Sequence, residues 1–129
     1  MRYFLLAFLM LIMSFGLYAQ SLNCEKFKSG KFQSTYNGHT AIIERRGSRQ
    51  TEYFINLKDS LKMSFDVKWL NSCSYTLVPT KESFDKYPKL PKSAVITVEI
   101  TNTTANSYTQ KSTASFTPGT IISEMIIIK

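Results

Sequence analysis

Apolar and polar side chains alternate strictly from residue 61 to residue 69, and this stretch is the clearest structural signal in the chain. Its apolar members are Leu61, Met63, Phe65, Val67 and Trp69. A period of two residues is typical of a β-strand that buries one face and exposes the other. The alternation resumes at Cys73, Tyr75 and Leu77, so the two segments together predict a β-hairpin.

The turn of this hairpin follows from burial, because a shift of one residue moves every side chain of a strand to the other face. A two-residue turn would expose Tyr75 and Leu77. A three-residue turn, Leu70-Asn71-Ser72, keeps the apolar residues together in the pairs Trp69–Cys73, Val67–Tyr75 and Phe65–Leu77. We therefore predict the three-residue turn.

Three earlier turns join further alternating segments. Asn37-Gly38 is a strong signal for a two-residue hairpin turn, because both residues tolerate positive φ. It gives the pairs Tyr36–His39, Ser34–Ala41 and Phe32–Ile43. Interpreted as three-residue loops, residues 47–49 and 58–60 give the pairs Ile43–Tyr53, Ala41–Ile55, Leu57–Leu61, Ile55–Met63 and Tyr53–Phe65.

This register predicts one apolar row across five strands, and cross-strand rows of this kind stabilise a sheet. The row consists of Phe32, Ile43, Tyr53, Phe65 and Leu77. The opposite face is polar and includes Gln50 and Glu52. Ile42 and Phe54 are its only apolar members.

The second half of the chain predicts a long loop and three strands. Residues 80–92 are interrupted by prolines and contain Phe84 and Tyr87, so a loop is expected and no helix is indicated. Residues 94–100 alternate, and residues 107–116 form a polar, Thr-rich strand. Pro118-Gly119 then turns the chain into the β-branched run 121–128, which we expect to be buried on both sides for part of its length.

Eight strands joined mostly by tight turns predict an all-β fold, a small antiparallel up-and-down barrel. Closure of the barrel removes two exposed sheet edges and covers the apolar face. A two-sheet β-sandwich is the alternative.

The first 19 residues have the pattern of a signal peptide. Arg2 provides a positive charge, residues 3–18 carry none, and Leu17-Tyr18-Ala19 ends in the small residue that signal peptidase requires. We expect cleavage to leave a single domain, residues 20–129, with no transmembrane segment, in the periplasm or outside the cell. The net charge is +7 for the whole chain, which becomes +6 without Arg2.

The two cysteines, Cys24 and Cys73, are expected to form a disulfide, because an exported protein meets an oxidising compartment. Closing a loop of about 49 residues stabilises the fold by roughly 4 kcal/mol in the chain-entropy model. Two thiols and the single histidine, His39, make a poor set of zinc ligands, so we expect no metal and no cofactor.

Several short motifs resemble those of a group of small exported bacterial β-proteins that have no established function. The motifs are Cys24, Gly30-x-Phe32, Glu44-Arg45-Arg46, Gln50-x-Glu52 and Trp69-x-x-x-Cys73-x-Tyr75-x-Leu77. They cover about the first half of the chain after residue 19, and Gly30-x-Phe32 also resembles the opening of lipocalin-like (calycin-like) barrels, with Phe in place of the usual Trp. The resemblance implies the barrel fold and export, and it adds no catalytic residues. Some relatives carry a DNA topoisomerase label, which an exported domain of this size cannot fulfil because it has no room for an ATPase or a cleavage core.

The predicted register gives the barrel two different ends. Trp69, the Gly47 turn and the disulfide share one end, which the disulfide helps to close. The other end is predicted to be the mouth for a small apolar or amphipathic ligand. Its candidate ligand-binding residues are Tyr36, His39, Ile55, Leu57, Leu61 and Met63, with Phe84 and Tyr87 as a lid. The alternative is a barrel filled by its own side chains.

The chemistry of the remaining side chains favours binding over catalysis. His39 stands alone, and neither a Gly-x-Ser-x-Gly elbow nor a pair of carboxylates is present, so no enzyme is predicted. Arg45, Arg46 and Arg49 cluster at one turn as a basic patch, which is either a solvated face that keeps the protein soluble or a site for anionic envelope lipid or polysaccharide. No nucleic-acid partner is expected. The sequence therefore predicts an exported lipocalin-like binding domain. The alternative is a solid envelope structural or interaction protein that uses its basic surface.

Overall fold

The computed structural model describes residues 21–55 and 61–129, which form a closed eight-stranded barrel. Each strand runs antiparallel to its neighbours, and the last strand returns to the first. The strands are β1 (Gly30–Tyr36), β2 (His39–Arg46), β3 (Arg49–Phe54), β4 (Leu61–Asn71), β5 (Ser74–Pro79), β6 (Ile96–Thr103), β7 (Ser107–Ala114) and β8 (Thr117–Ile127). The up-and-down barrel is confirmed over the β-sandwich, whereas the proposed signal peptide and Leu57 lie outside the described residues.

The β1–β2 hairpin has the predicted register. Tyr36 lies opposite His39, and Phe32 lies opposite Ile43. Asn37 and Gly38 both adopt positive φ, at 49° and 76°, as a type I′ turn requires.

The predicted β2–β3 register was wrong by one residue. Gly47-Ser48 forms a two-residue turn with Gly47 at a φ of 56°, so Ile43 lies opposite Glu52 rather than Tyr53. A shift of one residue reverses the faces of β3. Tyr53 and Ile55 therefore point outward and are exposed. The polar residues Gln50 and Glu52 point into the barrel instead.

The β3–β4 register changes with it. Gln50 lies opposite Phe65 and Glu52 lies opposite Met63, so the apolar side chains of β4 face two polar residues across this pair of strands. Phe32, Ile43, Phe65 and Leu77 are buried, as predicted for the apolar row, but Tyr53 does not join them.

The β4–β5 hairpin keeps the predicted inward face with a different register. Val67 lies opposite Leu77 and Trp69 lies opposite Tyr75, with an irregularity between Trp69 and Asn71. The shift of two residues preserves the face of each strand, so the prediction that these side chains point inward is confirmed. Trp69 packs on Tyr75, with ring centroids 4.6 Å apart.

A short helix, α1 (Lys81–Lys86), replaces the first part of the predicted loop after β5. Thr80 caps it, because its side-chain oxygen accepts a hydrogen bond from the Ser83 backbone amide at 3.3 Å. The Ser83 hydroxyl accepts a hydrogen bond from the Ser64 amide at 2.8 Å and donates to the Ser64 carbonyl at 2.9 Å. Through Ser83, the helix therefore hydrogen-bonds to the backbone of β4 where β5 has already ended. Within the described residues, no helix is long and apolar enough to cross a bilayer.

Strand β8 is much more exposed than its sequence suggested. Ile121, Ile122, Ile126 and Ile127 are exposed, Ile122 by 66 %, and Met125 is the buried apolar residue of the strand. The expected burial on both sides was therefore wrong, because a barrel strand has only one inward face and that face ends at an open mouth. Pro118 and Gly119 belong to β8, and the turn precedes them.

The seam that closes the barrel is short. In the described chain, β8 pairs with β1 at Phe32–Ile127 and Gln33–Ile126, and the Ile128 amide donates to the Lys31 carbonyl at 2.9 Å. No ladder pair between these two strands follows from Ser34 to Tyr36. The hydrogen-bonded ladder between the two strands therefore does not continue to the mouth.

The N-terminal segment closes the opposite end of the barrel. A 3-10 helix (Glu25–Phe27) places the fully buried Phe27 against Phe32 and Tyr108, with ring centroids 6.4 and 5.0 Å away. The predicted disulfide between Cys24 and Cys73 is confirmed, with the two Cα atoms 5.3 Å apart. It ties this segment to the β4–β5 turn.

Candidate functional site: an internal cavity above a polar floor

The barrel encloses a cavity of about 820 Å³ that opens at the end of the Asn37-Gly38 turn. Ligand cavities in proteins measure about 300–1,000 Å³, so this one has the volume for a small molecule. The apolar part of its wall includes Ala41, Ile43, Phe54, Leu77, Ile96, Val98 and Met125. The barrel is therefore not filled by its own side chains.

Polar side chains occupy the wall between these apolar residues and at the rim. Those of the wall are Ser34, Gln50, Glu52, Gln110, Ser112 and Ser123. The rim contains Tyr36 and His39, Phe116 of the β7–β8 turn, and residues 117–120 at the start of β8. The cavity extends to the unpaired part of the β1–β8 seam. Its lining there consists of Ser34 and Tyr36 from β1 and of Ile121 and Ser123 from β8.

The floor of the cavity is organised by Arg45, the last inward residue of β2. Its side chain is completely buried, with a relative exposure of 0 %. The guanidinium donates four hydrogen bonds: Nε to Gln50 Oε1 at 2.8 Å, one terminal nitrogen to the Phe27 carbonyl at 2.7 Å, and the other to the hydroxyls of Tyr75 at 2.8 Å and Tyr108 at 2.9 Å. A buried charge needs such partners, because it has lost its hydration.

Aromatic rings surround the same guanidinium. Its central carbon lies 4.6 Å from the Tyr75 ring centroid, 5.3 Å from that of Phe32 and 5.9 Å from that of Trp69. The ring faces attract the cation and exclude water from it. Arg45 thus links the N-terminal segment to strands β3, β5 and β7 beneath the cavity.

Two polar branches rise from Arg45 towards the cavity. In the first, Gln50 accepts from Arg45 and donates through Nε2 to Glu52 Oε1 at 2.9 Å. In the second, the Tyr75 hydroxyl donates to Gln110 Oε1 at 3.2 Å, and Gln110 Nε2 donates to the Ser112 hydroxyl at 3.2 Å. No buried side-chain nitrogen or oxygen of the described residues lacks a partner.

The cavity environment changes the acidity of these groups. Burial raises the pKa of Glu52 above its ordinary value, although the hydrogen bond from Gln50 and the attraction of Arg45 act in the opposite direction. The accessible surface that Glu52 retains faces the cavity rather than the outside. Burial and the neighbouring Tyr108 raise the pKa of Tyr75 well above its ordinary value, so its hydroxyl stays protonated. Burial lowers the pKa of Arg45, but Tyr75, Tyr108 and Glu52 outweigh this effect, and Arg45 stays cationic.

The candidate ligand-binding residues of the sequence analysis are distributed over several places. Tyr36 and His39 lie at the rim of the cavity. Leu61 and Met63 are half-buried on β4, and Phe84 and Tyr87 are half-buried in and after α1. None of these four lines the cavity. Ile55 points outward and is 51 % exposed, which corrects its predicted inward orientation.

The predicted basic patch does not include Arg45. Arg46 and Arg49 are exposed on either side of the Gly47 turn, and Arg49 lies 3.7 Å from Asp66. Arg45 instead points into the barrel, because it follows Ile43 by two residues on the same face of β2. Gln50 and Glu52 were predicted on the outer face because the β2–β3 turn length was wrong, whereas the inward position of Arg45 follows from the β1–β2 register that was predicted correctly.

The polar residues of the wall and floor were missed, although the sequence contains a signal for them. Phe54 was an apolar exception on the predicted outer face, and in the structure it lines the cavity. A two-residue turn would have placed Phe54 inward together with Glu52 and Gln50. The cost would have been two polar residues of β3 inside the barrel, beside Arg45, which is inward with either turn. A register chosen by apolar burial rejects that cost.

The geometry thus defines a closed up-and-down barrel with a partly apolar cavity, a form that agrees in outline with calycin-like proteins. A scan against protein-family models and searches among curated proteins and solved structures find no match for this chain. Among residues 21–55 and 61–129, no group of three His, Cys, Asp or Glu side chains is placed to hold a metal ion.

Proposed function

We propose that the protein is an exported, non-enzymatic binding domain that holds a small amphipathic molecule inside its barrel. The observation that carries this proposal is the cavity of about 820 Å³, which has an apolar wall and a few polar groups at defined positions. This combination is typical of small-molecule sites, where apolar area provides affinity and polar groups fix orientation.

Two structural features support a binding function. The disulfide and the buried Arg45 network hold the floor rigid, and a rigid wall reduces the entropy lost on binding. The mouth and the unpaired part of the β1–β8 seam provide the access that a ligand needs. The barrel is thus cross-linked at its floor and accessible to a ligand at its mouth.

Export is part of the same proposal. The Cys24–Cys73 disulfide is consistent with an oxidising compartment. Expression of the full chain with intact-mass measurement of the exported product tests it. We expect a species that begins at Gln20 and contains one disulfide, whereas an uncleaved product retained in the cytoplasm would contradict export.

Ligand binding is tested with a neutral fluorophore, N-phenyl-1-naphthylamine, whose emission rises in apolar surroundings. We expect saturable binding to the wild-type protein. Ala41→Trp fills the cavity wall and should weaken binding by about tenfold or more, which corresponds to about 1.4 kcal/mol. Ile42→Trp is the matched control, because Ile42 is the next residue of β2 and points outward. Absence of binding, or equal binding by the Ala41→Trp protein, would refute the proposed site.

A further inference from the structure

The cavity wall carries charge at one position in its interior. Among residues 21–55 and 61–129, Glu52 is the only acid that lines the cavity, and no Lys or Arg lines it. His39 also lines the cavity, but it lies at the rim and not in the interior. An electrostatic preference of the cavity interior therefore depends on Glu52.

The two carboxylate oxygens of Glu52 have different environments. Oε1 accepts the hydrogen bond from Gln50, which fixes the orientation of the group. No described residue donates to Oε2. Because no buried side-chain oxygen of the described residues is without a partner, Oε2 keeps accessible surface, and that surface faces the cavity.

The buried cation, Arg45, does not face the cavity. Arg45 does not line it, and its guanidinium is occupied by Phe27, Gln50, Tyr75 and Tyr108. Gln50 lies between the two charges, with its carbonyl towards Arg45 and its amide towards Glu52. Gln50 thus links the guanidinium of Arg45 to the carboxyl group of Glu52, and the carboxyl end of this chain faces the ligand space.

From this arrangement we propose that the ligand is an amphipathic amine, whose ammonium group binds Glu52 Oε2 while its apolar body lies along the wall towards the mouth. The inference rests on the proposed binding function and specifies its ligand class. An ammonium donates hydrogen bonds and brings a charge that compensates Glu52, and hydrogen bonds to charged groups are about twice as strong as neutral ones. A carboxylate in the same position would meet Glu52 as a like charge in a poorly solvated space.

The test compares three ligands of equal chain length: decylamine, decan-1-ol and decanoic acid. Each displaces N-phenyl-1-naphthylamine from the full domain at neutral pH. We expect decylamine to act at about tenfold lower concentration than decan-1-ol, since a hydrogen bond to a charged group contributes roughly 1.5–3 kcal/mol. Decanoic acid should be the weakest. The net charge of the domain, +6 without Arg2, would favour the acid by non-specific attraction, so a preference for the amine reports the local site.

Two variants locate the preference. Glu52→Gln keeps an oxygen acceptor for Gln50 and should bring the decylamine-to-decanol ratio to about one. Glu124→Gln removes the same charge from the exposed face of β8 and should keep the wild-type ratio. Near-ultraviolet circular dichroism verifies that both variants are folded.

The outcomes separate this inference from the function on which it rests. If the fluorophore and decan-1-ol bind but decylamine has no advantage, the amine preference is wrong and the binding function stands. Retention of the preference by Glu52→Gln would also overturn the assignment to Glu52. If neither the fluorophore nor any of the three ligands binds the folded protein, both proposals fall together.

Discussion

The Arg45→Met substitution tests whether the buried floor network holds the barrel together. Methionine is nearly as long as arginine but donates no hydrogen bond, so the Phe27 carbonyl, Gln50 and the hydroxyls of Tyr75 and Tyr108 each lose a partner. Four hydrogen bonds to a charged group would total roughly 6–12 kcal/mol if they were additive. They are not additive, because the variant no longer has to desolvate the guanidinium, and the two hydroxyls, 3.3 Å apart, can bond to each other.

We therefore expect Arg45→Met to lower the free energy of unfolding by about 2–6 kcal/mol, because the buried Phe27 carbonyl and the Gln50 amide oxygen lose their donor at about 1–3 kcal/mol each. That is a large share of the roughly 5–15 kcal/mol that stabilises a domain. Urea unfolding with the disulfide intact measures it. With a slope of about 2 kcal/mol per molar, the midpoint should fall by about 2 M with the slope unchanged.

The neighbouring exposed residue provides the matched control. Arg46→Met makes the same chemical change on the outer face of β2 and should alter the free energy of unfolding by less than about 0.5 kcal/mol. If Arg45→Met costs no more than Arg46→Met, the floor network contributes nothing to stability and the reasoning is refuted. Should Arg45→Met fail to fold, Tyr108→Phe removes a single hydroxyl partner, and we expect a loss of about 1 kcal/mol.

Three further predictions concern the disulfide, the cavity acid and the exposed strand. Replacing Cys24 and Cys73 together by serine should lower the free energy of unfolding by about 4 kcal/mol for a separation of 49 residues, and a loss below about 1 kcal/mol in urea unfolding would contradict the loop-entropy argument. Because burial raises the pKa of Glu52, the folded state binds its proton more tightly than the unfolded state. Wild-type stability should therefore fall as the pH rises through the folded pKa, and Glu52→Gln should flatten this dependence when unfolding is followed from acidic to neutral pH. If the free energy of unfolding fell more steeply with rising pH in Glu52→Gln than in the wild type, the inferred direction of the Glu52 pKa shift would be wrong. Ile122→Thr should leave stability within about 0.5 kcal/mol and reduce retention on a hydrophobic column, whereas a large stability loss would mean that Ile122 is not exposed.

The parts of the fold that the sequence predicted well are those where burial and turn chemistry agree. Asn37-Gly38 fixes the first hairpin through its own conformational preference, and the apolar alternation of β4 and β5 survives a register shift of two residues. Both signals are local, so a single chain is enough to detect them. The inward face of Val67 and Leu77 follows from the same alternation.

The cavity and its floor were beyond this kind of argument. Burial of Arg45 is possible only because four partners from Phe27, β3, β5 and β7 meet around it, and pairs so distant in sequence leave no local pattern. A register chosen by apolar burial places Gln50 and Glu52 outside. It therefore predicts an interior that is more apolar than the observed one and leaves out the amide and carboxyl groups of the cavity wall. The isoleucines of β8 show the converse error, since a run of apolar residues indicates a strand but not which of its faces is covered.

The short β1–β8 seam also bears on the order in which the barrel forms. Its partners, such as Phe32 and Ile127, are separated by almost the whole described chain, so closing it carries the largest loop-entropy cost of any strand pairing. The hairpins from β1 to β8 can assemble by neighbour contacts alone, and the circle is completed last. The β1–β8 seam should also be the first strand pairing to open in the native protein. Local opening there would widen the access to the cavity.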